Sequence, residues 1–374
     1  MLNQGVQRGF TLIELMVSLV LGLLITAATL QIFYTSSVSN SIQQAGFEVV
    51  DNNTFGFDDF IKQVRKANYG ALPNGTTSSF FLNHQTPLGG IVLSTPTDLK
   101  VFGNTIEYQN AKGQTVTDTV PSNLRGISIE NNVTGLAALV TQAESPLSSS
   151  HVTTSAGTAL NSDQLTIQYQ AALDNQLDCR GRAIMQGDYV IERYFVRDGG
   201  LACASAIYTY NPDVAKKDAN NQNAIDIGKY KKPKKANGKF QRDAEETEQN
   251  LADDGEIVIP NVDYFGVLLG VSESKDFSID PTNYDLQYIR IPERVSAEKK
   301  DQYPTLMNKR IVSLQIALLV RSDGSVKASN NPQFDVLDKV GTDGIKLVDS
   351  VKNDGKMRKV LQTTVLLRNA RGAV

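Results

Sequence analysis

The sequence predicts an α+β protein: one long N-terminal α-helix, its first half apolar enough to cross a membrane, packed on a β-rich globular head of antiparallel sheets. Three observations predict it. The run from Phe10 to Leu30 is apolar apart from Thr11, Glu14, Ser18, Thr26 and Thr29. Apolar residues then recur at three- and four-residue steps through Val38, Ile42, Ala45, Val49, Phe60, Val64 and Ala67, with Phe57 and Ile61 widening the stripe. Beyond about residue 70, short alternating or β-branched runs follow one another without strand–helix alternation, which argues against a parallel α/β fold.

The apolar run comes first. At 1.5 Å per residue it spans about 30 Å, the thickness of a hydrocarbon core. A secretory signal would have a shorter apolar region, followed by small residues. Here the small residue, Gly9, precedes the run, after a leader whose one charged side chain is Arg8. A plain single-pass anchor accounts for the hydrophobicity and for Arg8. It does not account for Glu14, since a lone ionised side chain at membrane depth costs about 2.5–3.5 kcal/mol.

Polar Ser39, Gln43, Asp51, Asp58 and Lys62 lie between the apolar positions of the second half. One helix is therefore expected from about Phe10 to Asn68, on the order of 90 Å long. Its 10–30 part is transmembrane and its 31–68 part an amphipathic half that covers the head, 69–374. Gly22, Gly46 and Gly56 each weaken the helix by up to about 1 kcal/mol relative to Ala. The stretch "NYGALPNG" ends it with Gly and Pro signals.

Strands are expected at "GIVLS", "NTIEYQ", "GISIE", "DQLTIQYQ", "GDYVIERYFV", "LACASAIYTY", "GEIVIP", "VDYFGVLLGV", "DLQYIRIP", "RIVSLQIALLV" and "RKVLQTTVLL". In "RIVSLQIALLV", Val312, Leu314, Ile316, Leu318 and Val320 share one face, as in a strand covering a core. Between them, residues 228–256 carry lysines first and acids second, and read as a solvated surface insertion.

Composition limits the chemistry. The chain has 374 residues, 21% of them charged, and a net charge of −3, without the basic excess that marks a nucleic-acid partner. It contains no G-x-S-x-G, P-loop, G-x-G-x-x-G after a strand or H-E-x-x-H. His84 and His151 stand in polar loops without metal-ligand spacing, and the acidic turns "DDGE" and "DPTNYD" do not follow the EF-hand pattern. No catalytic residue, cofactor or metal is expected, and the chain reads as a non-enzyme.

The stretch "RGFTLIELMV" resembles the class III leader and helix start of type IV pilins and type II secretion pseudopilins. That resemblance implies a pilin-like fold, a leader at 1–9, cleavage between Gly9 and Phe10 by a prepilin peptidase, and N-methylation of Phe10. Glu14 becomes the fifth mature residue, about one helical turn from the new amine. In a filament it can pair with the Phe10 amine of a neighbouring subunit and so set axial register, pairing removing much of the cost of each buried charge.

Further along, "IKQVRKANYGA" is similar to the helix end of PilW-type minor pilins of Gram-negative type IV pili. "RIVSLQIALLVRS", "RKVLQTTVLLRNARG" and the region "DCRGR…YVIERYFVRDGGLAC" resemble the same family. Asn68 stands where that pattern has glycine, but Asn also tolerates helix-ending geometry. The resemblance implies a minor pilin that primes type IV pilus assembly and sits at or near the tip. Its partners would be other minor pilins, the major pilin and a tip adhesin, and its head would lie in the periplasm before assembly. In that oxidising compartment Cys179 and Cys203 are expected as a structural disulfide, with two buried free thiols the rival.

A type II secretion minor pseudopilin is the alternative, although such heads tend to be smaller. A second alternative is a membrane-tethered adhesin or DNA-binding module using Lys231, Lys232, Lys234 and Lys235. Lysines without interleaved aromatics are a weak signal for it.

Overall fold

The computed structural model describes residues 11–70, 90–92, 105–109, 115–119, 141–210 except 142 and 146, 225–226, 230–272 except 248, 250 and 252, 286–291, 310–326 and 333–370. A single helix, α1, runs unbroken from Leu12 to Val64, about 80 Å at its rise per residue. Its glycines do not interrupt it. At Gly56 the missing side chain has a use, because a Cβ there would stand 3.2 Å from Ile259 Cγ1. The helix unwinds over 65–68 and stops at Asn68, whose φ of 61° is left-handed. Asparagine tolerates that conformation because its short polar side chain bonds locally.

In chain order the described strands begin with a ribbon of β1 (Thr105–Gln109) and β2 (Thr115–Thr119), then the short β3 (Val152–Thr153) and β4 (Ala159–Leu160). Next come β5 (Leu165–Gln170), the small hairpin of β6 (Gln176–Leu177) and β7 (Ala183–Ile184), then β8 (Tyr189–Arg197), β9 (Gly200–Tyr210) and β10 (Ile225–Asp226). β11 (Tyr230–Ala236) and β12 (Lys239–Thr247) form a second ribbon, followed by β13 (Glu256–Ile259), β14 (Val262–Ser272) and β15 (Leu286–Arg290). The chain closes with β16 (Arg310–Ser325), β17 (Lys346–Leu347) and β18 (Lys356–Leu366). One main sheet has the order β10-β9-β8-β5 with β13 also on β9, and the other the order β15-β14-β16-β18. All described strand pairings are antiparallel. The expected strand "GISIE" lies outside the described residues.

The main core lies between α1 and both sheets. Phe60 is its keystone: 3% exposed, its ring lies 4.7 Å from Tyr194 on β8 and 6.0 Å from Phe265 on β14, edge-on to both. Leu314, Ile316, Leu318 and Val320 of β16 face this core. Ala317 and Leu319 face a smaller one with Tyr264, Phe334, Val336 and Ile345. Covered on both faces, β14 is buried throughout, which is why its sequence reads as a nearly continuous apolar run.

Cys179, between β6 and β7, is bridged to Cys203 on β9 across a sequence separation of 24. A loop of that size is worth about 3 kcal/mol in the chain-entropy description.

Residues 230–247, expected as part of a solvated insertion, form an ordered and largely exposed ribbon. Asn237 (φ 53°) and Gly238 (φ 78°) are both left-handed at its tip, the conformation that two-residue hairpin turns require and that an Asn-Gly pair supplies. The charge run hid a hairpin signal that stood in plain view.

Candidate assembly interface

Gly9 and Phe10 lie outside the described residues; Glu14 stands in the first turn of α1. Thr11 caps the helix. Glu14 N–H donates to Thr11 Oγ1 (3.3 Å), while Glu14 Oε2 accepts from Thr11 N–H (3.1 Å) and Thr11 Oγ1–H (3.0 Å). This is a capping box, and the T-x-x-E spacing before an apolar run is its sequence signature. The carboxylate thus satisfies helix-end donors within its own chain. Its other oxygen, Oε1, has no partner among the described residues.

The other polar side chains of the apolar stretch are turned inward on the backbone. Ser18 Oγ–H donates to the Leu15 carbonyl (2.9 Å), Thr26 to Gly22 (2.7 Å) and Thr29 to Thr26 (2.9 Å). Such bonds suit a medium that offers no water. From Leu12 to Val49 the helix is long and apolar enough to cross a membrane, and its most apolar window is exposed along its whole length. Ala45, Val49, Phe60, Ile61, Val64 and Ala67 are buried against the head, whereas Ile42 is exposed and Val38 only partly covered. The head therefore grips the helix from about Ala45 onward.

Two asparagines lock the upper end. Asn68 N–H donates to Gln168 O (3.0 Å) and its Nδ2 to Asn369 O (2.9 Å), while Asn369 Nδ2 donates back to Ala67 O (3.3 Å). Asn369 thereby takes up a carbonyl that the helix end leaves open.

The family model for type IV pilus-assembly protein W matches residues 232–369, and that for the prokaryotic N-terminal methylation motif matches residues 5–30. The chain is a type IV pilin-like protein with a PilW region. A type IV-like pilin from Thermus thermophilus is similar at 12% identity and a TM-score of 0.25, over 56% of this chain and 80% of that one, a likeness too slight to carry an argument. No curated protein matches the chain.

The PilW region ends at Asn369, the residue that closes the helix, and the methylation motif spans Gly9, Phe10 and Glu14. Both cysteines and strands β5, β8 and β9 lie outside the two matches. Inside the PilW region, the buried Asp263 gathers three cationic or hydrogen-bonding partners. His151 Nδ1 lies 2.8 Å from its Oδ1, Arg321 pairs with the same oxygen, and Arg358 Nε is 2.7 Å from Oδ2. His151, which reads in sequence as a lone loop histidine, is therefore part of this cluster. The pairing spans 112 positions, which no local pattern announces; His84 lies outside the described residues.

Glu192 anchors a second cluster, accepting Tyr169 OH and Cys179 N–H at Oε1 (both 2.8 Å) and Tyr194 OH at Oε2 (2.7 Å). Burial pushes this carboxyl up, and both tyrosines are pushed well above their ordinary values. The oxygens of both carboxylates are bound up in structural bonds, and what these clusters can do is hold sheets, helix and disulfide loop together.

Two carboxylates set an acid–base signature. Burial pushes Asp263 up, but the His151 hydrogen bond and the Arg321 and Arg358 charges outweigh it and hold the group below its ordinary range. Its stabilisation is present above about pH 4 and lost as the pH falls through the folded value. Asp163 is the reverse: burial pushes it up to about 6, although it accepts Glu144 N–H (2.9 Å) and Val267 N–H (2.7 Å). Keeping it ionised costs stability above that pH. The melting temperature of the detergent-solubilised chain is expected to rise from neutral pH towards about 5 and to fall below about 4. Asp263→Asn is expected to cost about 1.5–3 kcal/mol at neutral pH and to flatten the acid limb. An acid limb unchanged by that substitution would contradict the assignment.

Proposed function

We propose that this chain is a minor pilin that primes type IV pilus assembly and is incorporated at or near the pilus tip, acting by subunit packing. Prepilin peptidase cleaves between Gly9 and Phe10 and Phe10 is N-methylated. The helix then holds the subunit in the inner membrane, head in the periplasm, until other minor pilins and the major pilin pack against it. Glu14 sets register by pairing its carboxylate with the Phe10 amine of a neighbour.

One observation carries this reading: the exposed apolar stretch of the helix, as far as Leu30, contains one carboxylate, placed at its start and bonded to its own cap through one oxygen, while its hydroxyls bond internally. A plain anchor could use that residue as a helix cap, which glutamine would serve as well, but has no use for its charge. A type II secretion pseudopilin would share the anchor, and the match to the pilus-assembly family favours the pilus. The test is whether the chain, processed to Phe10, is found in filaments sheared from cells.

A further inference from the structure

The second ribbon has features that subunit packing does not use. No acid occurs from Lys231 to Arg242, and the acids of the ribbon, Asp243, Glu245 and Glu246, sit at its root. Lys231 and Lys234 are neutralised within the ribbon, by Glu246 and Asp243, each at 2.7 Å. Lys232, Lys235 and Lys239 are exposed and have no ion pair among the described residues. A chain of net charge −3 therefore carries a local basic projection.

The ribbon is held firmly at its base. Tyr230 OH donates to Ala183 O (3.0 Å), Arg182 lies over the Tyr230 ring, and Arg242 pairs with Asp188. Lys66, just past the end of α1, donates from Nζ to Leu177 O (3.1 Å) in the hairpin that carries Ala183. The ribbon thus springs from the end of the head where the helix terminates, away from the apolar N-terminus. On the reading of that N-terminus as the anchor, on which this step rests, the base of the ribbon lies near the end of α1, about 50 Å of helix rise beyond Leu30, so the lipids of the inner membrane are out of reach.

Its register places the charges. Lys235 stands opposite Phe240 and Ala236 opposite Lys239, and side chains alternate along each strand. Lys235 and Phe240 therefore project from one face and Lys234 and Lys239 from the other. Beyond the Pro233–Arg242 pair the tip extends about 10 Å. A flat anionic surface would meet the cations of one face only. The major groove of duplex DNA, about 12 Å wide and 8.5 Å deep, admits a two-stranded ribbon and presents phosphates on both walls.

We propose that the ribbon Tyr230–Thr247 is a sequence-independent binding arm for duplex DNA. It enters the groove tip first, with Lys232, Lys235 and Lys239 on phosphates and Phe240 against the sugar edge.

The test is fluorescence anisotropy with a labelled 30-base-pair mixed-sequence duplex and the full chain in neutral detergent. Three phosphate contacts predict that affinity falls roughly 40-fold between 50 and 200 mM salt. The variant K232Q/K235Q/K239Q leaves the turn, Tyr230 and Arg242 intact. It should bind at least tenfold more weakly at 50 mM salt, with little remaining salt dependence. Absence of wild-type binding, binding unchanged in the variant, or stronger capture by an acidic polysaccharide or by anionic vesicles would each overturn the proposal. Entry of the variant into filaments at wild-type level is expected, so failure of DNA binding and failure of the minor-pilin reading are read out separately.

Discussion

Phe60→Ala is expected to destabilise the head by about 3–5 kcal/mol, the usual cost of truncating a fully packed phenylalanine. The ring is the contact that joins the helix to both sheets, through Tyr194 on one and Phe265 on the other. Neither sheet can close the gap without moving away from its own partner strands, so little relaxation is available. Thermal melts of the solubilised chain should fall by on the order of 10 °C. Phe55→Ala is the control. Phe55 lies on the same helix but is 72% exposed, so its truncation should stay within about 0.5 kcal/mol in the isolated chain. Equal losses from the two substitutions would mean that the Phe60 junction is not what sets the stability of the head.

Glu14→Ala is expected to leave membrane insertion intact and to cut incorporation into filaments at least tenfold, read by immunoblot of sheared filaments against membranes. Alanine removes both things the carboxylate does: it caps Thr11 and it carries a charge. Glu14→Gln separates them, because glutamine completes a capping box as well as glutamate does but cannot pair ionically. Loss of incorporation in both variants assigns the residue to register between subunits. Full incorporation of the Gln variant would reduce Glu14 to a helix cap, and the charge at membrane depth would again lack a purpose.

Much of this was legible in the sequence because it rests on periodicity. The stripe through Ala45, Val49, Phe60 and Val64 is the face that the head buries, and Leu314, Ile316, Leu318 and Val320 share one face of β16 as their spacing demands. The break at Asn68 followed from residue chemistry. Other features were local but masked. The T-x-x-E box was overshadowed by the apolar run around it, and the Asn-Gly turn by the lysines that flank it. The buried charge clusters were not legible at all. Asp263 meets His151, Arg321 and Arg358 only because three distant segments converge. Nothing in the local sequence around "VDYFG" distinguishes a buried carboxylate from one at a strand edge. The second core on the far face of β14 and β16 was hidden for the same reason, since a strand covered on both faces loses the alternation that marks a half-buried one.

The most direct measurement is mass spectrometry of the N-terminal peptide of this chain, recovered separately from sheared filaments and from the inner membrane. A chain that begins at N-methylated Phe10 and is present in filaments at low abundance is the expected result. A chain that begins at Met1 in both fractions, or a processed chain confined to the membrane while filaments lack it, would contradict its incorporation as a pilus subunit.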